Sequence, residues 1–243
     1  MNAGISIEGL SHRYGPKLAL NDVTFSVGVG QFCALFGPNG AGKSTLVSLI
    51  SGLFAARQGR ILIAGHDMAK DPRRALGAMG IVFQSPALDS DLTVGQNMYY
   101  YAALHGMSGR VATVAIDESL DRLAMRERLS EKVRNLNGGH RRRMEIARAL
   151  IHRPKVLLLD EPTAGLDMAM RKSITAHVHE LAEQGGLSVL WTTHLSDEVS
   201  AHDHLAILHR GQLVAHGQTV ELAGNAPVQE LFHRLTGGSD MEP

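Results

Sequence analysis

The sequence predicts an α/β fold built on a mostly parallel sheet, and three features carry that prediction. Gly37-Pro38-Asn39-Gly40-Ala41-Gly42-Lys43-Ser44-Thr45 matches the pattern GxxxxGK[ST] without a mismatch. It lies between Phe32–Phe36, an apolar segment that reads as a buried strand, and Thr45 to Ile50, which opens a helix. Val156-Leu157-Leu158-Leu159-Asp160 is a short continuous apolar run ending in a carboxylate, the pattern of a strand covered on both faces. Beyond it, helical and strand patterns alternate to the end of the chain.

Taken in order, Ile5 to Leu10 alternates like a half-exposed strand, and Ser11 to Gly15 reads as a turn. Leu20 to Val27 is a second alternating strand, and Gln31 to Phe36 the buried one. The first helix ends near Gly52, and Gly59 to Ala64 is a strand with a turn at Gly65-His66-Asp67. Asp71 before Pro72 is an N-cap followed by an N1 proline, which starts a helix over Pro72 to Met79. Ile81 to Gln84 is a strand with a polar end. From Thr93 to about Arg134 the period becomes helical: Val94, Met98, Tyr101 and Leu104, then Ile116, Leu120 and Leu123. This stretch predicts a helical lobe inserted in the α/β core. A turn over Asn135 to Gly139 precedes a helix from Arg141 to Ile151. After the Val156 strand come a helix over Met168 to Glu183, a strand over Ser188 to Thr192 and a helix over Ser196 to Ala201. A strand over Leu205 to Leu208 and a hairpin return over Gln212 to Ala215 follow. Thr219 caps a short helix, Pro227 to Leu235 form a last one, and Gly237 onward reads as a loose tail.

The glycine loop binds a nucleoside triphosphate. Its glycines let the backbone wrap a polyphosphate with successive N–H groups pointing inward. The start of the following helix adds unpaired N–H groups and the positive end of its dipole. Lys43 neutralises the β/γ-phosphates, and the Ser44 hydroxyl helps to hold Mg²⁺. Asp160 is placed to bind Mg²⁺ through water, and Glu161 to orient or deprotonate an attacking water.

Composition narrows the partners. The 243 residues carry zero formal net charge, so no bulk electrostatic argument favours nucleic acid or an anionic surface. The single cysteine, Cys33, excludes an internal disulfide and a cysteine-rich zinc site, and reads as core filler. The N-terminus lacks the basic region and apolar run of a signal peptide. Val23 to Gly42 is uncharged, but its glycines, Gln31, Pro38 and Asn39 mark strands and a loop, not a membrane span. Work at a membrane therefore requires a partner. His177/His179 and His202/His204 have loose metal-like spacing without a third ligand and read as surface residues. Arg141-Arg142-Arg143 reads as a solvated or dimer-facing cluster.

With these motifs in hand, the chain resembles the ATP-binding subunits of ABC transporters over about residues 4 to 220. The resemblance implies a RecA-like P-loop NTPase core over about 4–87 and 154–217, with an N-terminal antiparallel β region. A helical subdomain would occupy about 88–153, and a short helix and tail 221–243. Gly37 to Thr45 corresponds to the Walker A loop, and Val156 to Glu161 to the Walker B strand with its catalytic carboxylate. Tyr14 resembles the aromatic residue on which adenine stacks. Gln84 matches the glutamine that touches Mg²⁺ and the attacking water, and His194 the histidine that contacts the γ-phosphate. Ala164-Gly165-Leu166-Asp167 looks like the loop that crosses the dimer interface. Leu136-Asn137-Gly138-Gly139-His140 stands where the family carries LSGGQ, so Asn137, Gly138 and Gly139 would contact ATP held by a partner chain. Asn137 replaces the usual serine; it keeps an N–H donor but is bulkier and adds a C=O acceptor, which implies a retuned site. The run from Asn137 to Arg143 resembles a branch of exporter cassettes, including those associated with quinoprotein-dependent alcohol catabolism.

The resemblance implies an ATP hydrolase using ATP and Mg²⁺ that closes as an ATP-sandwich dimer. It would act on a separate integral membrane permease from the cytoplasmic face of the cell membrane. Coupling would run through Ser85 to Asp91. A soluble ABC-type ATPase acting on nucleic acid or ribosomes is the rival reading. Such proteins tend to carry paired cassettes, coiled-coil arms or zinc-binding cysteines, none of which this sequence has. A regulatory module without hydrolysis is opposed by Glu161, Gln84 and His194.

Overall fold

A computed structural model describes residues 3–237. The chain opens with a β-meander: β1 (Ala3–Tyr14) and β2 (Lys17–Gly28) pair antiparallel through a tight turn. β3 (Phe32–Phe36) then leads through the glycine loop into α1 (Lys43–Ile50). β4 (Gln58–Ile63) and the short β5 (His66–Asp67) complete a four-stranded antiparallel sheet in the order β2-β1-β4-β5. α2 (Pro72–Gly77) starts as the sequence predicts, with the Asp71 carboxylate accepting from Arg74 N. β6 (Met79–Val82) follows, then α3 (Val94–Leu104), α4 (Gly109–Arg122) and α5 (Gly138–Leu150). β7 (Val156–Asp160), α6 (Met168–Gly185), β8 (Ser188–Thr193), β9 (His204–His209) and β10 (Gln212–Gln218) lead to α7 (Thr219–Ala223) and α8 (Val228–Thr236).

The second sheet has six strands in the order β10-β9-β3-β8-β7-β6, all neighbours parallel except the β9–β10 hairpin. Its continuous apolar strands follow from burial on both faces. Phe32, Ala34, Phe36, Leu157, Leu159 and Trp191 turn to one side, where α3, α5, α6 and α8 cover them. Cys33, Leu35, Val156, Leu158 and Leu190 turn to the other, against α1 and the antiparallel sheet. Val94, Met98, Ile116 and Leu120 of the helical segment join the first of these cores, which also contains Val82 and Leu157. The sheet thus holds its C-terminal strand ends, with the glycine loop, Asp160 and Thr193, at one edge.

Several boundaries differ from the sequence reading, among them the strand read over Ile81 to Gln84, which is Met79–Val82, and the turn at His66-Asp67, which pairs as β5. Ser11 to Tyr14 is strand, because β2 pairs as far as Tyr14↔Lys17. α2 stops at Gly77, since Met79 enters the sheet beside Val156. α5 begins at Gly138, three residues early, because Asn137 caps it. The predicted helix over Ser196 to Ala201 is a single 3₁₀ turn, Ser196–Glu198, where Ser200 N donates to Asp203 instead. The tail beyond Gly237 lies outside the described residues. No helix among the described residues is long and apolar enough to cross a membrane.

Candidate active site

The glycine loop is tied to the sheet at both ends. Gly37 N donates to Thr193 O at 3.3 Å, and Gly211 N in the β9–β10 turn donates to Ala41 O at 2.8 Å. Gly42 takes φ 111° at the helix start, a conformation L side chains rarely adopt, and a Cβ there would sit 2.9 Å from Leu20 Cδ2. α1 begins with no side-chain cap and no acidic residue in its first turn. Its leading N–H groups have no intrahelical acceptor and present an anion-binding end.

A cleft of ≈ 390 Å³ opens above this loop, lined by Pro38, Asn39, Gly40, Gly42, Lys43, Ser44 and Thr45, with Tyr14 on one wall and Glu161 on the other. Gly37 and Ala41 do not line it; they anchor the loop from behind. Tyr14 is held edge-on by His12, ring centroids 4.8 Å apart, and by Phe54 at 5.9 Å, yet stays 44% exposed. It offers an accessible aromatic face to a planar base.

Lys43 is buried, and its Nζ donates to Gly37 O at 2.6 Å and Pro38 O at 3.2 Å. The same ammonium lies 3.2 Å from Glu161 Oε1. His194 Nδ1 is 3.4 Å from that oxygen, and Gln84 Nε2 donates to Oε2 at 3.4 Å. One carboxylate therefore gathers the lysine of the loop, the glutamine after β6 and the histidine after β8. Asp160 is buried and accepts from Thr192 Oγ1 at 2.8 Å. Burial raises its pKa, with the Glu161 charge adding to that, against the Thr192 hydrogen bond and the cations Lys43 and Arg142. Glu161 sits at φ 44°, in the left-handed region, and its N–H donates to the same Thr192 Oγ1 at 2.9 Å. Such a φ costs a non-glycine residue on the order of 1 kcal/mol, and it turns the carboxylate off the strand line toward the cleft.

From the sequence, Thr192 reads as a strand residue only. The structure makes it the bridge that sets both carboxylates, and the signal was a hydroxyl pair, Thr192-Thr193, ending an apolar strand. Behind Gln84 stands a clamp that the sequence does not mark. Arg142 is buried, not solvated: Nη1 donates to Phe83 O at 2.9 Å and Nη2 to Gln84 O at 3.1 Å, while Glu145 Oε2 accepts from Nη1 at 2.8 Å. Glu145 Oε1 accepts from Ala87 N at 3.0 Å. Burial pushes the Arg142 pKa down and the Glu145 pKa up. Arg141 and Arg143 are engaged as well, with Val133 O, Arg134 O and Ser173 Oγ. Two of the four histidines noted for their spacing are structural. His179 stacks on Phe32 with centroids 3.9 Å apart and bonds Asp203 at 2.7 Å, and His204 pairs with Gln31 at 2.9 Å.

Asn137, Gly138 and Gly139 do not line the cleft. They form the start of α5, where Asn137 Oδ1 accepts from His140 N at 2.8 Å. They sit beside the segment that follows Glu161: a Cβ on Gly138 would lie 3.1 Å from Leu166, and one on Gly139 2.5 Å from Met170 Sδ.

The loop, the paired carboxylates and the strand order define a phosphate-loop nucleoside triphosphatase. Comparison with known proteins gives the family: residues 20–164 match the model described as ABC transporter. The chain is 36% identical over 242 residues to the ABC transporter ATP-binding protein YdbJ of Bacillus subtilis (strain 168), covering 96% of this chain and 78% of that one. It is 35% identical over 242 residues to the Nod factor export ATP-binding protein I of Rhizobium johnstonii, covering 98% and 76%. A solved ATP-binding subunit of an ABC transporter superposes with TM-score 0.83 at 29% identity, over 96% of this chain and 99% of that one. The chain belongs to the ABC transporter family as an ATP-binding cassette, an ATPase coupled to transport.

Proposed function

We propose that this cassette drives export through a separate membrane permease, as a pair of copies with two ATP molecules between them. Residues 4–220 act as the cassette, with 4–87 and 154–217 as its core and 88–153 as the helical subdomain. The observation that carries the paired reading is the position of Asn137 to Gly139, outside the cleft of their own chain. The Asn137 side chain satisfies the third N–H of α5, and the N–H groups of Gly138 and Gly139 have no intrahelical acceptor. That end of α5 is a second anion site in search of a phosphate, and the γ-phosphate on another copy's loop supplies one. The same pairing places Ala164 to Asp167 at the interface.

In the cleft, Gly40, Gly42, Ser44 and Thr45 hold the phosphates through backbone N–H groups, Lys43 balances their charge and Tyr14 stacks the base. Glu161 accepts the proton of the attacking water, Gln84 orients that water, and His194 donates to the γ-phosphate. The donor set suits Mg²⁺: Ser44 hydroxyl, Gln84 amide oxygen and the Asp160 oxygen not used by Thr192 are all hard oxygens. Mg²⁺ would supply charge neutralisation across the β- and γ-phosphates.

Glu161→Gln tests this reading: it should bind ATP, hydrolyse it poorly and elute as a dimer with ATP. Normal turnover with only monomer sinks it. Export, a location on the cytoplasmic face of the cell membrane and a permease partner draw support from the likeness to a Nod factor export subunit. Co-purification of a permease from membranes tests the location and the partner. The Asn137 to Arg143 signature supports the narrower assignment to exporters serving quinoprotein-dependent alcohol catabolism. Unchanged growth on ethanol after deletion of the gene would overturn it.

A further inference from the structure

Glu198 is a carboxylate in the core with no cation paired to it among the described residues. It is 3% exposed and forms no ion pair among the described residues. Three neutral donors hold it instead. Oε2 accepts from Trp191 Nε1 at 3.0 Å and from Thr193 Oγ1 at 2.5 Å, and Oε1 accepts from the Thr163 hydroxyl. Desolvating a carboxylate is expensive, and a hydrophobic residue of similar size would fill the same space without that cost. The charge therefore needs a reason beyond packing.

The reason lies in what the donors belong to. Thr163 follows Glu161 by two residues and opens the segment Ala164 to Asp167. Thr193 immediately precedes His194, and its hydroxyl also accepts from Leu195 N at 2.9 Å, so it fixes the backbone on both sides of His194. Trp191 is fully buried in β8 and gives the assembly an immobile base. Arg171 of α6, 3.3 Å from Asp197, pins the 3₁₀ turn that presents Glu198. We propose that Glu198 is a positioning residue for ATP hydrolysis, tying the segment after Glu161 to the strand end that carries His194 so that both hold one geometry. Glu198 does not line the cleft; it acts through Thr163 and Thr193. The inference rests on the role proposed above for His194.

The test is a set of variants assayed for steady-state ATPase well below their melting temperatures. Glu198→Ala leaves the Trp191 N–H and two hydroxyl protons without their acceptor, and is expected to lower kcat about 10- to 100-fold, the scale of a small misplacement of catalytic groups. KM for ATP should move less than about threefold, because the cleft itself is untouched. Glu198→Gln should retain most of kcat. Its amide oxygen accepts from Trp191 and Thr193, and its NH₂ donates to the Thr163 hydroxyl, which can reverse to accept. Thr163→Val cuts one arm of the tie and should reproduce part of the kcat loss. The Thr163→Val/Glu198→Ala double variant should lose no more than Glu198→Ala alone, since both remove one linkage. Val178→Ala, a buried change in α6 away from the site, serves as the stability control, with a lower melting temperature and wild-type kcat. Should Glu198→Ala fail to fold, Thr163→Val against Val178→Ala carries the test.

Wild-type kcat in folded Glu198→Ala or Thr163→Val, with only the melting temperature lowered, overturns the proposal. So do kcat losses that multiply in the double variant. His194→Ala separates the two readings. If it turns over normally, the role of His194 is wrong; if it is inactive while Glu198→Ala is normal, the tie is wrong.

Discussion

Replacing Asn137 separates two jobs that one side chain does. Its Oδ1 caps α5 through the 2.8 Å bond from His140 N, and its exposed NH₂ makes no hydrogen bond among the described residues. Serine caps a helix about as well as asparagine, so Asn137→Ser should change stability by only a few tenths of a kcal/mol. Asn137→Ala removes the acceptor and strands one N–H, at about 1 kcal/mol. In a chain of this size that lowers the thermal midpoint by about 2–4 °C. Asn137→Gly should fall between them. Urea melts followed by the far-ultraviolet signal read this series. The N–H groups of Gly138 and Gly139 survive in every variant, so ATP-dependent pairing in a Glu161→Gln background should persist in Asn137→Ser and weaken in Asn137→Ala. Turnover should hold or rise in Asn137→Ser, because a hydroxyl donates to phosphate with less bulk. An Asn137→Ala protein as stable as wild type would falsify the capping role. A stable Asn137→Ser protein with no turnover would show that the amide itself is required.

Other perturbations probe the rest of the site. Arg142→Met leaves Glu145 buried and unpaired and should cost about 3 kcal/mol, with a loss of turnover through Gln84; a wild-type urea midpoint refutes the clamp. Thr192→Val keeps the shape but removes the acceptor for Glu161 N and the donor to Asp160. It should cost about 1–3 kcal/mol and slow hydrolysis, and full activity would mean the left-handed turn at Glu161 stands without it. His152 stacks on His105 with centroids 4.0 Å apart, and burial, then the neighbouring His105, push its pKa down to about 4. The folded pKa lies below the unfolded value near 6.5, so the unfolded chain takes up the proton first and stability falls as pH drops from about 6.5 to 4. Allowing for screening at this half-buried site, the loss is about 1 kcal/mol by pH 5. His152→Gln should flatten that slope, and an unchanged slope refutes the assignment.

The order of strands and helices was legible because burial leaves a period in the sequence: Val156 to Leu159 could only be a two-faced strand, and Asp71-Pro72 only a helix start. The cleft was legible for a different reason, since wrapping a polyphosphate demands glycine, lysine and hydroxyl at fixed spacing. Boundaries set by single side chains were not legible. α5 begins at Gly138 because Asn137 turns its amide oxygen onto His140 N, and two glycines otherwise argue against a helix. The supporting polar residues were hidden for a related reason. Arg142, Glu145 and Glu198 look like surface residues in one dimension and Thr192 like a plain strand residue, and only the approach of distant segments reveals what they pair with. Charge patterning points the arginine run to solvent or a dimer face because nothing local marks Phe83 O and Gln84 O as acceptors 59 and 58 residues away.

The same contacts bear on how one copy could sense another. Gly138 and Gly139 open α5, and the nearest atoms to a Cβ at each belong to Leu166 and Met170. Leu166 N donates to Thr163 O at 3.0 Å, Thr163 reaches Glu198, and Glu198 reaches Thr193 beside His194. The start of α5, the anion site proposed above, and His194 beside Glu161 are thus joined by packed groups. Continuity alone does not make coupling; a coupled element needs two arrangements that both sites bias. Gly139→Ala asks whether this one does. Its Cβ would come within 2.8 Å of both Met170 Sδ and Cε, so either the flexible methionine gives way locally or α5 and the segment before α6 move apart. If methionine gives way, pairing and turnover both stay near wild type. If the elements separate, turnover should fall while ATP affinity of the isolated cleft is preserved, and Met170→Ala in the same chain should restore it by making room. Loss of turnover that Met170→Ala does not restore would place the fault in the glycine backbone itself, and the packed route would then carry nothing between the sites.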